Sequence, residues 1–313
     1  MHKYQVTGVC LNPSIDRALT IDGFDYGGTN RVLGSVDCAG GKGFNVALAA
    51  KKLGLRAAAT GFVFSGNGDI ILHTLSEHGV SDQTLHFQGK VRVNLKVFDK
   101  ATQVVTELNG KGQMMDADSF AQMSHKMDEL AKISHFMVFG GSVAPGLPDD
   151  AYKLLIEIAN AQGCKCVLDA EGALLKKGIT AQPFMIKPNL FELETLVGTK
   201  LNTIGEIKTA AQNLINKGVE IVLVSLGQEG ALIVNERKAK FAPGIKVDVK
   251  NTVGAGDSMV SGAIKGLIDS SELAETLKQA AGAATCSVMQ EGTGLTDTSQ
   301  LKSIYDKIKI TDI

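Results

Sequence analysis

The chain has 313 residues, 44% of them hydrophobic, which is enough to bury a large core and argues against disorder. Lys and Arg number 32 against 33 Asp and Glu, so no overall basic field exists to hold a nucleic acid or an anionic membrane, and any phosphate must be bound locally. Five cysteines without a metal-ligand spacing, only Cys164 and Cys166 lying close together, fit a reducing compartment; no signal-like stretch precedes Asn12 and no apolar run nears the roughly 18 residues of a membrane span, so the expected location is the cytoplasm.

In chain order, Tyr4 to Leu11 reads as a buried strand, and residues 12–38, with Gly23, Gly27, Gly28 and Gly34 among short apolar pieces, as antiparallel ribbon. Ala39-Gly40-Gly41-Lys42-Gly43-Phe44-Asn45 then leads into a helical pattern over 46–53. It is not a Walker A loop, since Val36 and Gly43 stand where Gly and Ser or Thr are required; the plain reading is a turn and helix start. Yet Gly40 and Gly41 give backbone room, and Lys42 and Asn45, about one turn apart, can both reach a polar ligand. A strand over 57–63 and a helix over 70–78 follow, and residues 88–112 alternate as Val91, Val93, Leu95 and Val97, a second ribbon that can pair with the first into a small sheet over the strand ends.

Helices over 119–132, 151–162, 191–197, 207–217 and 259–267 alternate with strands over 136–139, 166–169, 184–187 and 221–225. Such alternation predicts a three-layer α/β/α arrangement, a mainly parallel sheet covered on both faces, with ligands beyond the strands' carboxyl ends. No repeat or linker suggests a second large domain, so the expectation is one domain over 1–313 with a lid from about 12–38 and 88–112. Asn189, three residues before Glu192 in Lys187-Pro188-Asn189-Leu190-Phe191-Glu192, is by itself a helix capping box; the alternative is a carboxylate near hydrated Mg²⁺. Ser225-Leu226-Gly227-Gln228-Glu229-Gly230 is either a hairpin turn or a nucleotide contact.

The most informative segment is Asn251-Thr252-Val253-Gly254-Ala255-Gly256-Asp257-Ser258, which opens a helix. The free N–H groups of a first helical turn bind an anion, and a carboxylate beside them can take a proton from an alcohol while the turn stabilises charge on a phosphoryl group. A helix cap is the plainer role for Asp257, but the glycines before it argue for a closely approaching ligand.

Together, these segments and Leu11-Asn12-Pro13-Ser14-Ile15-Asp16 resemble, in order and over almost the whole chain, the ribokinase-like, or PfkB, carbohydrate kinases, and within them the branch of 1-phosphofructokinases and tagatose-6-phosphate kinases. The resemblance implies ATP and Mg²⁺ as cofactors, Asp257 as general base, and Gly254, Ala255 and Gly256 as the anion hole. It implies Asp16 on sugar hydroxyls, Gly40, Gly41, Lys42 and Asn45 beside the substrate, and Lys187, Asn189, Ser225, Gly227, Gly230, Gly254 and Gly256 toward the nucleotide. Asn189 and Glu192 are implied to serve the metal through water. Arg31, Lys42, Arg92 and Lys96 are the candidates for the substrate's own phosphate, and Arg92, Asn94 and Lys96 share one strand face. This Arg-x-Asn-x-Lys pattern tilts the substrate to fructose 1-phosphate over tagatose 6-phosphate. A nucleoside or unphosphorylated-sugar kinase of the same fold and a non-catalytic sugar-phosphate sensor are the rivals. Two departures from the family pattern, Phe64-Ser65 in place of a Gly-Gly pair and Glu171 in place of Ser, bear on the sugar rather than on phosphoryl transfer. Exposed ribbon edges, together with family habit, predict a homodimer through the lid.

Overall fold

A computed structural model describes residues 2–270 and 272–313. Its strands are β1 (Tyr4–Cys10), β2 (Ser14–Ile21), β3 (Gly34–Gly40), β4 (Ala57–Phe64), β5 (Ser81–Asp82), β6 (Leu85–Phe87), β7 (Arg92–Asp99), β8 (Val104–Asn109), β9 (Ser134–Gly140), β10 (Lys165–Asp169), β11 (Met185–Ile186), β12 (Ile221–Ser225), β13 (Gly230–Asn235), β14 (Ala239–Pro243) and β15 (Thr311–Asp312). The helices are α1 (Lys42–Lys52), α2 (Asp69–Glu77), α3 (Ala117–Ala131), α4 (Ala151–Ala161), α5 (Gly172–Gly178), α6 (Leu190–Val197), α7 (Ile204–Ile215), α8 (Ala255–Asp269), α9 (Leu273–Val288) and α10 (Leu301–Tyr305).

The main sheet runs β15-β14-β13-β12-β11-β10-β9-β1-β4-β5, with β6 also on β4. From β12 to β5 all pairs are parallel; β13, β14 and β15 extend it antiparallel. The central strands read as unbroken apolar runs because helices cover both faces: every residue of β4 is buried, as are Val6, Val9, Phe136 to Phe139 and Val222 to Val224. The expected parallel α/β core is thus present, and the antiparallel margin is an addition to it.

A separate four-stranded sheet has the order β3-β2-β7-β8. The two expected ribbons, β2–β3 and β7–β8, are each antiparallel, and a parallel β2–β7 pair joins them. The register sets Asp16 opposite both Cys38 and Asn94, and Lys96 opposite Glu107, so these side chains share a face. Asn12, buried at the root of this sheet, ties it to the core: its amide donates to the carbonyls of Lys111 and Val143 and to the Ser142 hydroxyl.

Candidate active site

The turn before α8 shows why its composition matters. Gly254 is the helix N-cap with φ +80, and an added Cβ would lie 2.6 Å from the Gly294 nitrogen, so both conformation and space require glycine. The first intrahelical bond runs from the Ser258 N–H to the Gly254 carbonyl at 2.9 Å, and among the described residues no acceptor pairs with the N–H groups of Gly254, Gly256 or Asp257. These donors, with the positive end of a 15-residue helix behind them, make an anion site.

Asp257 is 5% exposed and takes a 2.8 Å hydrogen bond from the Asn45 side-chain amide. Burial pushes its carboxyl up to about 6, against the pull of Lys42; Asp169 raises it further, while the Asn45 hydrogen bond and Lys187 lower it. Beneath the turn lies a group that sequence reasoning passed over. Asp169, at the carboxyl end of β10, is 1% exposed and holds Lys42 Nζ at 3.0 Å and Lys187 Nζ at 3.2 Å. Burial alone would raise the Asp169 carboxyl, but Lys187 and Lys42 outweigh it and keep it below the usual range.

Two contiguous cavities meet here, sharing Asn189, Ser225 and Gly256. The first, about 620 Å³, gathers Asp16, Gly41, Lys42, Asn45, Arg92, Asn94, Lys96, Lys187, Glu192, Gly254 and Asp257 between the core and the small sheet. Ser14, Glu107, Asn109, Ser142 and Glu171 also line it, although none of them was singled out as a site residue. The second, about 800 Å³, takes in Gly227, Gly230 and Ala255 with an apolar wall from Ala231, Ala242, Ile245, Val249, Ala281 and Ala284. The 225–230 segment is at once a hairpin turn, joining β12 to β13, and a wall of this cavity.

Some expected residues fall elsewhere. Lys187, expected toward the nucleotide, lines the first cavity. Ala255 lines only the second and Gly254 only the first. Arg31 lies exposed between β2 and β3 and lines neither, because that stretch runs out beyond the paired strands. Phe64 is buried in the core and Ser65 turns its hydroxyl to Gln88, so this departure from the family pattern does not touch the cavity, whereas Glu171 does. Gly40 stands behind Asp16: an added Cβ would lie 2.6 Å from Ser14 Oγ and 2.8 Å from Asp16 Oδ1. On the role that the resemblance implies for Asp16, Gly40→Ala is therefore expected to displace it and raise the KM for the sugar about tenfold with the KM for ATP unchanged, checked by steady-state kinetics.

Asp16 itself accepts from Ser14 Oγ and Asn94 Nδ2, both at 2.9 Å, and from Lys96 Nζ at 2.8 Å. Among the described residues Arg92, unlike Lys42, Lys96 and Lys187, has no carboxylate partner. Its guanidinium donates to the carbonyls of Gly110 and Asn12, and its buried Nε has no acceptor.

Asn189 and Glu192 form a reciprocal capping box at α6, each side chain accepting from the other residue's N–H at 2.8 Å. This occupies Glu192 Oε2, and Glu192 lines the first cavity. Among the described residues no three His, Cys, Asp or Glu side chains cluster closely enough to chelate a metal. The donor set fits a hard cation that keeps its waters and is carried mainly by phosphate oxygens.

A helix start with free N–H groups, a buried carboxylate beside it and paired cavities are the parts that phosphoryl transfer on an α/β fold needs. The pfkB family carbohydrate kinase model matches residues 2–300, and the chain belongs to that family. It is 34% identical over 311 residues to the 1-phosphofructokinase of Haemophilus influenzae, with 98% of both chains covered, and 33% identical over 308 residues to that of Escherichia coli K12, again with 98% of both. Phosphofructokinase-2 from Escherichia coli, solved with potassium, superposes with a TM-score of 0.91 at 29% identity, covering 98% of this chain and 99% of that one. Its complex with substrates and products gives 0.89 at 28% identity, covering 97% and 98%. The chain is accordingly a carbohydrate kinase of the ribokinase-like fold.

Proposed function

We propose that the protein transfers the γ-phosphoryl group of ATP to the 6-hydroxyl of fructose 1-phosphate, giving fructose 1,6-bisphosphate. The observation that carries this reading is the meeting of the two cavities at Gly256, beside a buried carboxylate whose ordinary value is shifted toward neutrality. The second cavity takes the adenosine, its apolar wall against the base, and the phosphates run past Asn189 and Ser225 into the N-terminus of α8. The sugar lies in the first cavity. Its phosphate goes to Arg92, which among the described residues of this cavity is the cation without a carboxylate, because a desolvated dianion needs uncompensated positive charge and Lys42, Lys96 and Lys187 are each already paired.

Asp16, oriented by Ser14, Asn94 and Lys96, accepts from sugar hydroxyls. Asp257, oriented by Asn45, takes the proton of the attacking hydroxyl as its oxygen forms the bond to phosphorus. The N–H groups at Gly254, Gly256 and Asp257, with Lys42 and Lys187 behind them, offset charge on the phosphoryl oxygens. Mg²⁺, when bound with the nucleotide, supplies neutralisation of the phosphate charge, with Glu192 Oε1 and its waters as the protein contact. The small sheet acts as a lid that excludes water from the transfer.

ADP release with Mg-ATP and fructose 1-phosphate, tagatose 6-phosphate or fructose 6-phosphate tests the reading. It stands if fructose 1-phosphate gives the highest kcat/KM. A preference for tagatose 6-phosphate moves the assignment within the same chemistry, and no turnover with any of the three overturns it.

We also propose a cytoplasmic homodimer joined through the lid. Val36 and Val105 are 61% and 55% exposed and continue outward the lid face that carries Asp16 and Lys96. An apolar strip leading away from a polar site suits the lid of a second copy. Val36→Asp with Val105→Asp is expected to give a monomeric mass by sedimentation at micromolar concentration where the unaltered chain gives a dimer; a monomeric unaltered chain defeats the proposal.

A further inference from the structure

The lid face of the sugar cavity is built from side chains that are almost all committed. Asn94 donates to Asp16 and accepts from the Gly110 N–H, Lys96 donates to Asp16, and Arg92 spans two carbonyls. The exceptions are on β8. Glu107 and Asn109, two residues apart and facing the same way, line the cavity, and among the described residues neither side chain has a hydrogen-bond partner.

Glu107 stands directly across from Lys96, whose charge Asp16 already matches at 2.8 Å. Two carboxylates thus flank one ammonium, and this part of the lid is net negative, whereas the root of β7 carries the uncompensated Arg92. The face is polarised: it takes phosphate at Arg92 and refuses it at Glu107, where only neutral hydrogen-bond donors are welcome. An uncommitted carboxylate in a sugar cavity is an acceptor for hydroxyls.

We propose that Glu107 is a specificity-determining residue that accepts the anomeric hydroxyl of the substrate. This rests on the sugar-phosphate reading given above and deepens it. With the phosphate arm held at Arg92, a ketofuranose 1-phosphate presents next to that arm a ring carbon bearing the anomeric hydroxyl. A ketofuranose 6-phosphate presents there a ring carbon bearing only hydrogen. The two sugars are otherwise close to pseudo-symmetric, so an acceptor on β8 that reaches this ring carbon is a direct means of telling them apart, and a hydrogen bond present for one and absent for the other separates them strongly.

The test measures kcat and KM for fructose 1-phosphate, fructose 6-phosphate and 2,5-anhydromannitol 1-phosphate, which lacks the anomeric hydroxyl, with the unaltered enzyme, Glu107→Ala and Glu107→Gln. Glu107→Ala is expected to raise the KM for fructose 1-phosphate about tenfold or more with kcat within about twofold, since the lost contact is with bound sugar and not with the reacting atoms. The same change leaves the KM for the anhydromannitol phosphate unaltered, and the preference between the two fructose phosphates narrows by about tenfold. Glu107→Gln, which keeps an acceptor oxygen and removes the charge, retains part of the preference.

Equal effects of Glu107→Ala on fructose 1-phosphate and on the anhydromannitol phosphate overturn the inference, as does a fall in kcat with KM unchanged. Exposure of β8 along its whole length makes both variants compatible with folding, which an unchanged KM for ATP verifies. If the unaltered enzyme turns over none of the sugars, the underlying reading and this inference fall together; if it prefers fructose 1-phosphate and the variants keep that preference, only the inference falls.

Discussion

Asp257→Asn is expected to lower kcat by about 10²- to 10⁴-fold, the range that a positioned general base contributes, with little change in the KM for sugar or ATP. The same variant is expected to be no less stable than the unaltered protein above neutral pH and to gain about 1–3 kcal/mol there. The sign follows from the raised carboxyl. Burial lifts Asp257 from an ordinary value near 4 to about 6, so the folded protein holds that proton more tightly than the unfolded chain, and stability declines as pH rises from about 4 to about 6. Asparagine fills the same space, can still accept from Asn45 and carries no charge into the buried site. For catalysis the dependence is opposite: the base must be ionised, so kcat/KM should climb with pH and level off above about 6. Initial rates from pH 5 to 8 and urea unfolding at pH 8 check both halves. Loss of activity with a large loss of stability would show a structural aspartate, and an ascending limb near 4 would show a carboxyl that burial does not perturb.

The sequence displays some of this arrangement and hides the rest for identifiable reasons. Strands such as β1, β4 and β12 are continuous apolar runs, and α3, α4 and α7 carry large apolar side chains at helical spacing, so the core is readable. Helix α9 was not anticipated: its buried side includes Thr276, Gln279, Ala280, Ala283 and Ala284, which contrast too little with its exposed side to show a period. Strands β13 to β15 also went unanticipated; β13 is buried like the core strands, but it returns antiparallel across a short turn that can equally be read as a ligand loop.

The turn before α8 is legible because glycine beside aspartate at a helix start is a local signal. The polar residues of β7 are legible at period two, and Arg92, Asn94 and Lys96 do occupy one face, two of them on Asp16. Glu107 has no such signature, since β8 is exposed along its length and a glutamate there is what any solvated strand carries. Arg31 misleads in the other direction: a cation in a predicted lid strand lies in the excursion beyond it, exposed.

Asp169 is the least legible residue of all, and its removal should have the largest effect on stability. Nothing local marks an aspartate at the end of a buried strand; its partners Lys42 and Lys187 come from α1, 127 residues earlier, and from the turn after β11. Lys187 is 5% exposed, so Asp169→Ala would leave a buried ammonium without its partner, a loss expected to be about 3–5 kcal/mol in urea unfolding at pH 7. Asp169→Asn should cost less, because an amide oxygen still accepts from one lysine.

The pH dependence supplies a signature that lost packing alone would not move. Burial acts to raise the carboxyl, yet Lys187 and Lys42 together hold it below its ordinary value. Its contribution is therefore complete above about pH 4, the unfolded value, and is lost as pH falls through the lower folded one. The unaltered protein should lose stability on that acid limb, and Asp169→Asn should lack that component of the loss. Burial and the neighbouring carboxylates also bear on Lys42: burial disfavours its charge, but Asp169 and Asp257 outweigh this and lift it above the usual range. With Asp169 gone, Asp257 becomes the chief counter-ion for both lysines, which favours its ionised form, and the rising limb of kcat/KM should move below about 6. A variant with an unshifted limb and stability within about 1 kcal/mol of the unaltered protein would mean that the two lysines are held in place without Asp169.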